Sequence, residues 1–257
     1  MNTPIVQIKN FSKTFHTLKE ETLAVQDFSL DIYGGEFLVL VGPSGCGKST
    51  ILSALAGLLK PTAGEINFNP LKSNHDNPSI GYMLQQDHLF PWRTILQNVI
   101  LGLEIQGKNT MENIEKAEQL LKIYGLGDFK HHYPNQLSGG MRQRAALIRT
   151  LTIDPEILLL DEPFSALDYQ TRLAVSDDIG SIIRQEKRTA IMVTHDISEA
   201  ISLADRVVVL TKRPGTIKNI HNIELSCSKQ TPIKRREAPE FRDYFNTIWK
   251  ELDVHVS

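Results

Sequence analysis

The residues best able to do chemistry stand in three short runs. Gly42-Pro43-Ser44-Gly45-Cys46-Gly47-Lys48-Ser49-Thr50 contains the spacing G-x-x-x-x-G-K-[ST] in full. Glycines there let successive backbone N–H groups turn into one concavity, which suits anionic oxygens. A helix starting at the end of the run adds the positive end of its dipole. Lys48 then serves as a cation for the β- and γ-phosphates, and the Ser49 hydroxyl is a hard oxygen donor suited to Mg2+. The run predicts nucleotide binding rather than a glycine-rich turn with a chance lysine.

The second run, Ile157-Leu158-Leu159-Leu160-Asp161-Glu162, ends an apolar strand in two adjacent carboxylates. Such a strand delivers both to the carboxyl edge of a parallel sheet, where ligands bind. Asp161 is suited to holding Mg2+ through water, and Glu162 to polarising an attacking water. The third run is Ser138-Gly139-Gly140, opening a helical pattern that reaches about Ile153. It is a second anion-receptive helix end. One chain does not need two for one nucleotide, so this end is expected to face the nucleotide of another copy.

Elements must carry these runs. Residues 37–41 are uniformly apolar, as in a strand covered on both faces, and 49–59 reads as the helix after the glycines. Before them, 5–8 and 23–32 alternate as antiparallel strands, with a turn at Tyr33-Gly34-Gly35. Short strands at 65–68 and 80–84 flank a polar loop over 69–76. From Asp87 to Pro155 the pattern is helical, and 111–124 places 114, 117, 120, 121 and 124 on one apolar face. Strand and helix then alternate: 157–160, 170–186, 190–193, 197–204 and 207–210. A closing strand over 216–225 and an amphipathic helix from Pro239 through Leu252 complete the chain.

Composition narrows the classes. The 257 residues are 41% hydrophobic and 23% charged, enough to bury a core and too apolar for wholesale disorder. A net charge of −2, from 28 basic and 30 acidic residues, argues against a nucleic-acid-coating role. Cys46 and Cys227 are the two cysteines, so no disulfide framework is expected. No run approaches the roughly 18 apolar residues of a membrane span. The N-terminus lacks a signal-peptide pattern, so a cytosolic protein acting on membranes only through a partner is expected.

Nearly the whole chain resembles the ATP-binding subunit of ABC transporters. The run from Gly42 to Ser49 looks like the Walker A loop, and Ile157–Asp161 like the Walker B strand. Glu162 matches the catalytic glutamate, and Leu137-Ser138-Gly139-Gly140-Met141 the signature motif. Gln85 matches the Q-loop glutamine, which the resemblance also makes a Mg2+ ligand beside Ser49 and Asp161. Ser165-Ala166-Leu167-Asp168 matches the D-loop, and His195 the switch histidine. Phe15 falls where the family places an aromatic on adenine; it keeps the π-face of the more frequent tyrosine. Gly-Gly-Met-Arg-Gln-Arg at 139–144, rather than the commoner form with glutamine at 141, is similar to the nitrate/sulfonate/taurine importer branch. Residues 86–93 and Lys212-Arg213-Pro214-Gly215 resemble the same branch.

That likeness implies an α/β P-loop NTPase core with an N-terminal antiparallel β subdomain and an inserted α-helical subdomain. The expected division is 1–85 with 156–225 as core, 86–155 as helical subdomain and 226–257 as C-terminal tail. It implies ATP and Mg2+ as cofactors and a second copy of the chain as partner. It also implies an integral membrane permease and, indirectly, an extracytoplasmic solute-binding protein, with the subunit peripheral at the cytoplasmic face of the membrane. Nucleic acid is not expected. A soluble cassette outside transport is the alternative, while a small-molecule kinase leaves 137–141 unexplained. A nucleotide-sensing regulator is disfavoured because Glu162 and His195 are both present.

Other residues read as structural. His131-His132 lacks a cysteine partner for a metal site. Cys46 reads as a small residue whose backbone N–H matters, not a redox switch. Lys234-Arg235-Arg236 reads as a solvated surface.

Overall fold

Two sheets carry the fold, and one helix lies between them. The computed structural model describes residues 3–16, 20–69, 78–165, 167–185, 187–227 and 231–252. The polar loop expected over 69–76 therefore lies, beyond Asn69, outside the described residues, as do Ala166, Glu186 and the chain after 252.

In chain order the strands are β1 (Val6–His16), β2 (Glu21–Ile32), β3 (Phe37–Val41), β4 (Ala63–Phe68), β5 (Ile80–Met83), β6 (Ile157–Asp161), β7 (Thr189–Thr194), β8 (Arg206–Leu210) and β9 (Ile217–Asn222). The helices are α1 (Lys48–Leu55), α2 (Ile95–Val99), α3 (Leu101–Ile105), α4 (Met111–Ile123), α5 (Gly139–Thr152), α6 (Tyr169–Gln185), α7 (Ile197–Leu203), α8 (Pro232–Arg236) and α9 (Phe241–Glu251). A three-stranded antiparallel sheet runs β2-β1-β4. The six-stranded sheet runs β5-β6-β7-β3-β8-β9, parallel except for β9. The architecture is α/β, as the residues predicted.

Every residue of β3, β6 and β7 is buried. Leu38 and Leu40 of β3 face the core shared with the antiparallel sheet, together with Ile51, Leu52 and Leu55 of α1. Phe37, Val39 and Val41 face the opposite core, which the remaining helices cover. Burying each such side chain stabilises the fold by roughly 1.5–3 kcal/mol. A polar group inside these strands would forfeit that gain, so chemistry is confined to their ends.

Two expectations about the bounds of elements are corrected. β1 extends well past residue 8 to His16, because register shifts between Ile8 and Thr14 and a positive φ of 49° at Asn10 break the alternation that marks a strand in sequence. The helical stretch begins not at Asp87 but at α2, where Thr94 and Gln97 form a reciprocal cap. Buried Asn98 explains the loop before it: its amide donates to the carbonyls of Phe90, Arg93 and Thr94, and its oxygen accepts from Phe90 N–H at 2.7 Å.

The basic run is not a solvated surface throughout. Arg235 is 3% exposed beneath α7, donating to the carbonyls of Ile201 and Ala204. Burial holds its pKa down to about 10, with Arg184 adding to the effect.

The turn before β9 reaches back to the glycine-rich loop. Gly215 N–H donates to Ala24 at 2.9 Å, and Gly215 accepts from Gln26 N–H at 3.1 Å. A Cβ on Gly215 would lie 2.0 Å from the Cys46 carbonyl oxygen. Gly215→Ala should therefore push the loop off the sheet and lower stability by roughly 1–3 kcal/mol, read as a drop in the urea midpoint. An unchanged midpoint would show that the loop yields freely.

Candidate functional site

The carboxyl ends of β3, β5, β6 and β7 meet along one edge of the sheet, and each supplies a polar group. From β3 comes the loop from Gly42 to Gly47. A left-handed Gly47, with φ of 100°, ends the loop and opens α1. A Cβ there would lie 2.6 Å from Val25 and 2.9 Å from the Ala24 carbonyl oxygen, so no larger residue fits. Cys46 is buried beneath, with its N–H donating to Pro43 at 3.3 Å. Lys48 Nζ donates to the carbonyls of Gly42 (2.8 Å) and Pro43 (3.0 Å), which centres its charge on the loop.

From β6 come Asp161 and Glu162. Asp161 is 5% exposed, and its carboxylate accepts from the Ser49 hydroxyl at 3.1 Å. Burial pushes the Asp161 carboxyl up; the Ser49 hydrogen bond and the Lys48 charge oppose that, while Glu162 adds to it. A hydroxyl beside a buried, under-compensated carboxylate is a hard-oxygen donor pair that fits Mg2+. Among the described residues no cluster of three His, Cys, Asp or Glu could hold a metal ion.

Glu162 sits at φ 47°, a left-handed position that costs a non-glycine residue roughly 1–3 kcal/mol. The surroundings hold it there. Its N–H donates to Val193 at 2.9 Å, and its carbonyl accepts from the Ser165 hydroxyl at 3.0 Å. One carboxylate oxygen accepts from Gln85 Nε2 at 3.2 Å, and the other lies 3.3 Å from His195 Nδ1. The strained turn thus aims Glu162 between the residues that follow β5 and β7.

These groups line one cleft of about 570 Å³: Ser44, Gly45, Gly47, Lys48, Ser49, Thr50, Gln85, Glu162 and His195, with Phe15 from the end of β1. The Phe15 ring is 37% exposed, with Lys13 Nζ 5.4 Å from its centroid. Gly42, Pro43, Cys46 and Asp161 stand behind this lining. Thr22, Ala24 and Arg213 complete it, and the sequence reading missed all three. Thr22 had a signal in principle, since it pairs with Phe15 across β1 and β2. Arg213 had only its place in the 212–215 run.

Ser138, Gly139, Gly140 and Asp168 lie outside the cleft. Ser138 caps α5 by accepting from Met141 N–H at 3.3 Å. Exposed Asp168 accepts from Thr171 N–H at 3.0 Å, and hydrogen bonds from Thr171 lower its pKa. The loop after Gln85 is tied to α5. Arg142 bonds the Asp87 carboxylate at 3.0 Å, and Arg149 donates to the carbonyls of Asp87 (2.7 Å) and His88 (2.8 Å). Gln143 donates to the Gln85 carbonyl at 3.3 Å.

The profile of the family described as "ABC transporter" matches residues 25–165. An uncharacterized ABC transporter ATP-binding protein of Bacillus subtilis is 45% identical, over 96% of this chain and 95% of its own. A nitrate import ATP-binding protein of a Synechocystis species is 39% identical, over 95% and 93%. A solved ATP-binding cassette, dimeric in a post-hydrolysis state bound to ADP and Pi, has a TM-score of 0.75 at 34% identity, covering 85% of this chain and 99% of that one.

Lys48→Ala should weaken ATP binding by roughly ten- to hundredfold, the equivalent of one or two charge-assisted hydrogen bonds. Equilibrium titration with a fluorescent ATP analogue measures it, and parental affinity would remove Lys48 from the phosphate site.

Proposed function

The chain belongs to the ABC transporter family, and from that premise we propose that it energises import of a small solute through a separate membrane permease. It is an ATP hydrolase that uses ATP and Mg2+. The proposed solutes are those of its branch: nitrate, sulfonates, taurine, bicarbonate or a pyrimidine-type compound. An extracytoplasmic binding protein would deliver the solute, and the subunit would lie peripherally on the cytoplasmic face. No helix among the described residues is long and apolar enough to cross a membrane, which supports a separate permease. In this reading 86–155 is the helical subdomain, 1–85 with 156–225 the core, and 226–257 the tail.

A single observation carries the proposal. One cleft gathers the phosphate loop, an oxygen pair for Mg2+ and a clamped carboxylate, while a second anion-receptive helix end stands outside it. The separation suits two copies set head to tail, each offering Ser138, Gly139 and Gly140 to the other's nucleotide, with Asp168 at the boundary. A dimeric relative supports this arrangement.

Within one copy, Lys48 and the loop N–H groups hold phosphate oxygens. Ser49, Asp161 and Gln85 would hold Mg2+, which would offset phosphate charge. Glu162 accepts a proton from the attacking water at a carboxylate oxygen, and His195 and Gln85, one at each oxygen, keep the carboxylate aimed. Phe15 stacks on the base. Beyond the cleft, Phe90 and Trp92 stack with centroids 5.0 Å apart, and Trp92 is 70% exposed. They offer an apolar patch for the permease, on the loop that Arg142 and Arg149 anchor to α5.

Glu162→Gln should lower kcat at least about a hundredfold yet keep ATP bound. With ATP it should run as a dimer on size exclusion, whereas Lys48→Ala should stay monomeric; parental turnover by Glu162→Gln would remove Glu162 as the base. Affinity capture from membranes should bring down an integral membrane subunit, whose addition raises ATP turnover. Capture of soluble partners alone would favour a cassette outside transport.

A further inference from the structure

Arg172 of α6 makes three contacts that none of the motif residues makes. Its Nη2 donates to the Leu167 carbonyl at 3.1 Å, within the turn that carries Asp168. Its Nη1 lies 3.5 Å from the Asp196 carboxylate, and its Nε 3.7 Å from that of Glu199. Asp196 belongs to the turn that carries His195, and Glu199 to the first turn of α7, which follows it. Asp196 follows His195 directly and caps α7 by accepting from the N–H groups of Ser198 (2.7 Å) and Glu199 (3.1 Å). Glu199, 3% exposed, accepts from the Thr194 hydroxyl at 2.7 Å, and that hydroxyl accepts from Asp196 N–H at 3.0 Å. On one side of His195, Thr194 bonds the Glu199 carboxylate; on the other, Asp196 carries the second carboxylate that faces Arg172.

We propose that Arg172 is a positioning residue for hydrolysis: one guanidinium locks the turn carrying Asp168 to the turn carrying His195, so that the two move as one body. The proposal rests on the roles given above to Asp168 and His195. Asp168 is exposed outside the cleft, whereas His195 lines it beside Glu162. A push on the Asp168 turn from a second copy of the chain thus reaches the catalytic carboxylate through Arg172. The planar fork is what reaches a carbonyl and two carboxylates together; an ammonium, as a single compact charge, cannot reproduce that geometry. Arg184 of the same helix provides the comparison. It makes a similar bridge, to Asp205 and the Leu203 carbonyl at 2.8 Å each, but to neither of those two turns.

Steady-state ATP hydrolysis by Arg172→Ala, Arg172→Lys, Arg184→Ala and His195→Ala, with urea midpoints for each, tests the proposal. Arg172→Ala should lower kcat about tenfold or more, since small misplacements of catalytic groups are that costly, with KM for ATP within about twofold. It should share the pattern of His195→Ala, and Arg172→Lys should recover only part of the loss. Arg184→Ala should lower the urea midpoint as much as Arg172→Ala does, yet keep the parental kcat. An Arg172→Ala kcat within twofold of the parent, or an equal kcat loss in Arg184→Ala, would overturn the positioning role and leave the His195 assignment standing. Parental kcat in His195→Ala would overturn that assignment, and the proposal with it.

Discussion

The bond from the Ser49 hydroxyl to the Asp161 carboxylate joins residues 112 positions apart in the chain. It spans β7, which lies in the sheet between β6 and β3, the strand that leads into the loop before α1 and Ser49. It holds only because β3, β7 and β6 are parallel, adjacent and in register, with Leu40 opposite Val193 and Asp161 likewise opposite Val193. Sheet register thereby becomes site geometry. A slip by one residue would turn Asp161 to the opposite face and separate the phosphate loop from the carboxylate. The dry strands beneath fix the register, and their polar ends use it.

Much of this was legible from residue types. Five apolar residues in β3 and four in β6, each run ending in polar residues, can hardly be anything but buried parallel strands with a site at their ends. The glycine-rich run named the site's chemistry. What could not be read was connection through space. Nothing in the sequence around Arg172, Arg142 or Arg149 says which carbonyls they reach, because guanidinium partners depend on tertiary approach rather than on period. β1 was under-read for a related reason: its bulges move residues off the period-two pattern that reveals a strand. Arg235 was misread because charge in a sequence carries no record of burial.

The helical region joins the core at its most responsive point. Gln85 bonds Glu162 through its side chain and accepts from Gln143 of α5 through its carbonyl, so one residue touches both the Glu162 carboxylate and the helix that Ser138 caps. Two residues further, Asp87 is gripped by Arg142 and Arg149. A displacement of α5 is therefore felt at Glu162 without passing through the sheet. Contacts this few can rearrange, whereas a close-packed core resists deformation.

Phe15 and Lys48 belong to different layers: the ring rides the end of a bulged antiparallel ribbon, and the ammonium sits over the parallel sheet. With adenine on Phe15 as proposed, the base is held from the ribbon, while the groups proposed to act on the terminal phosphate stand over the other sheet. An aromatic face accepts any base, so the ring contributes grip on the nucleotide rather than choice among purines. Nucleotide affinity and turnover would be free to evolve independently.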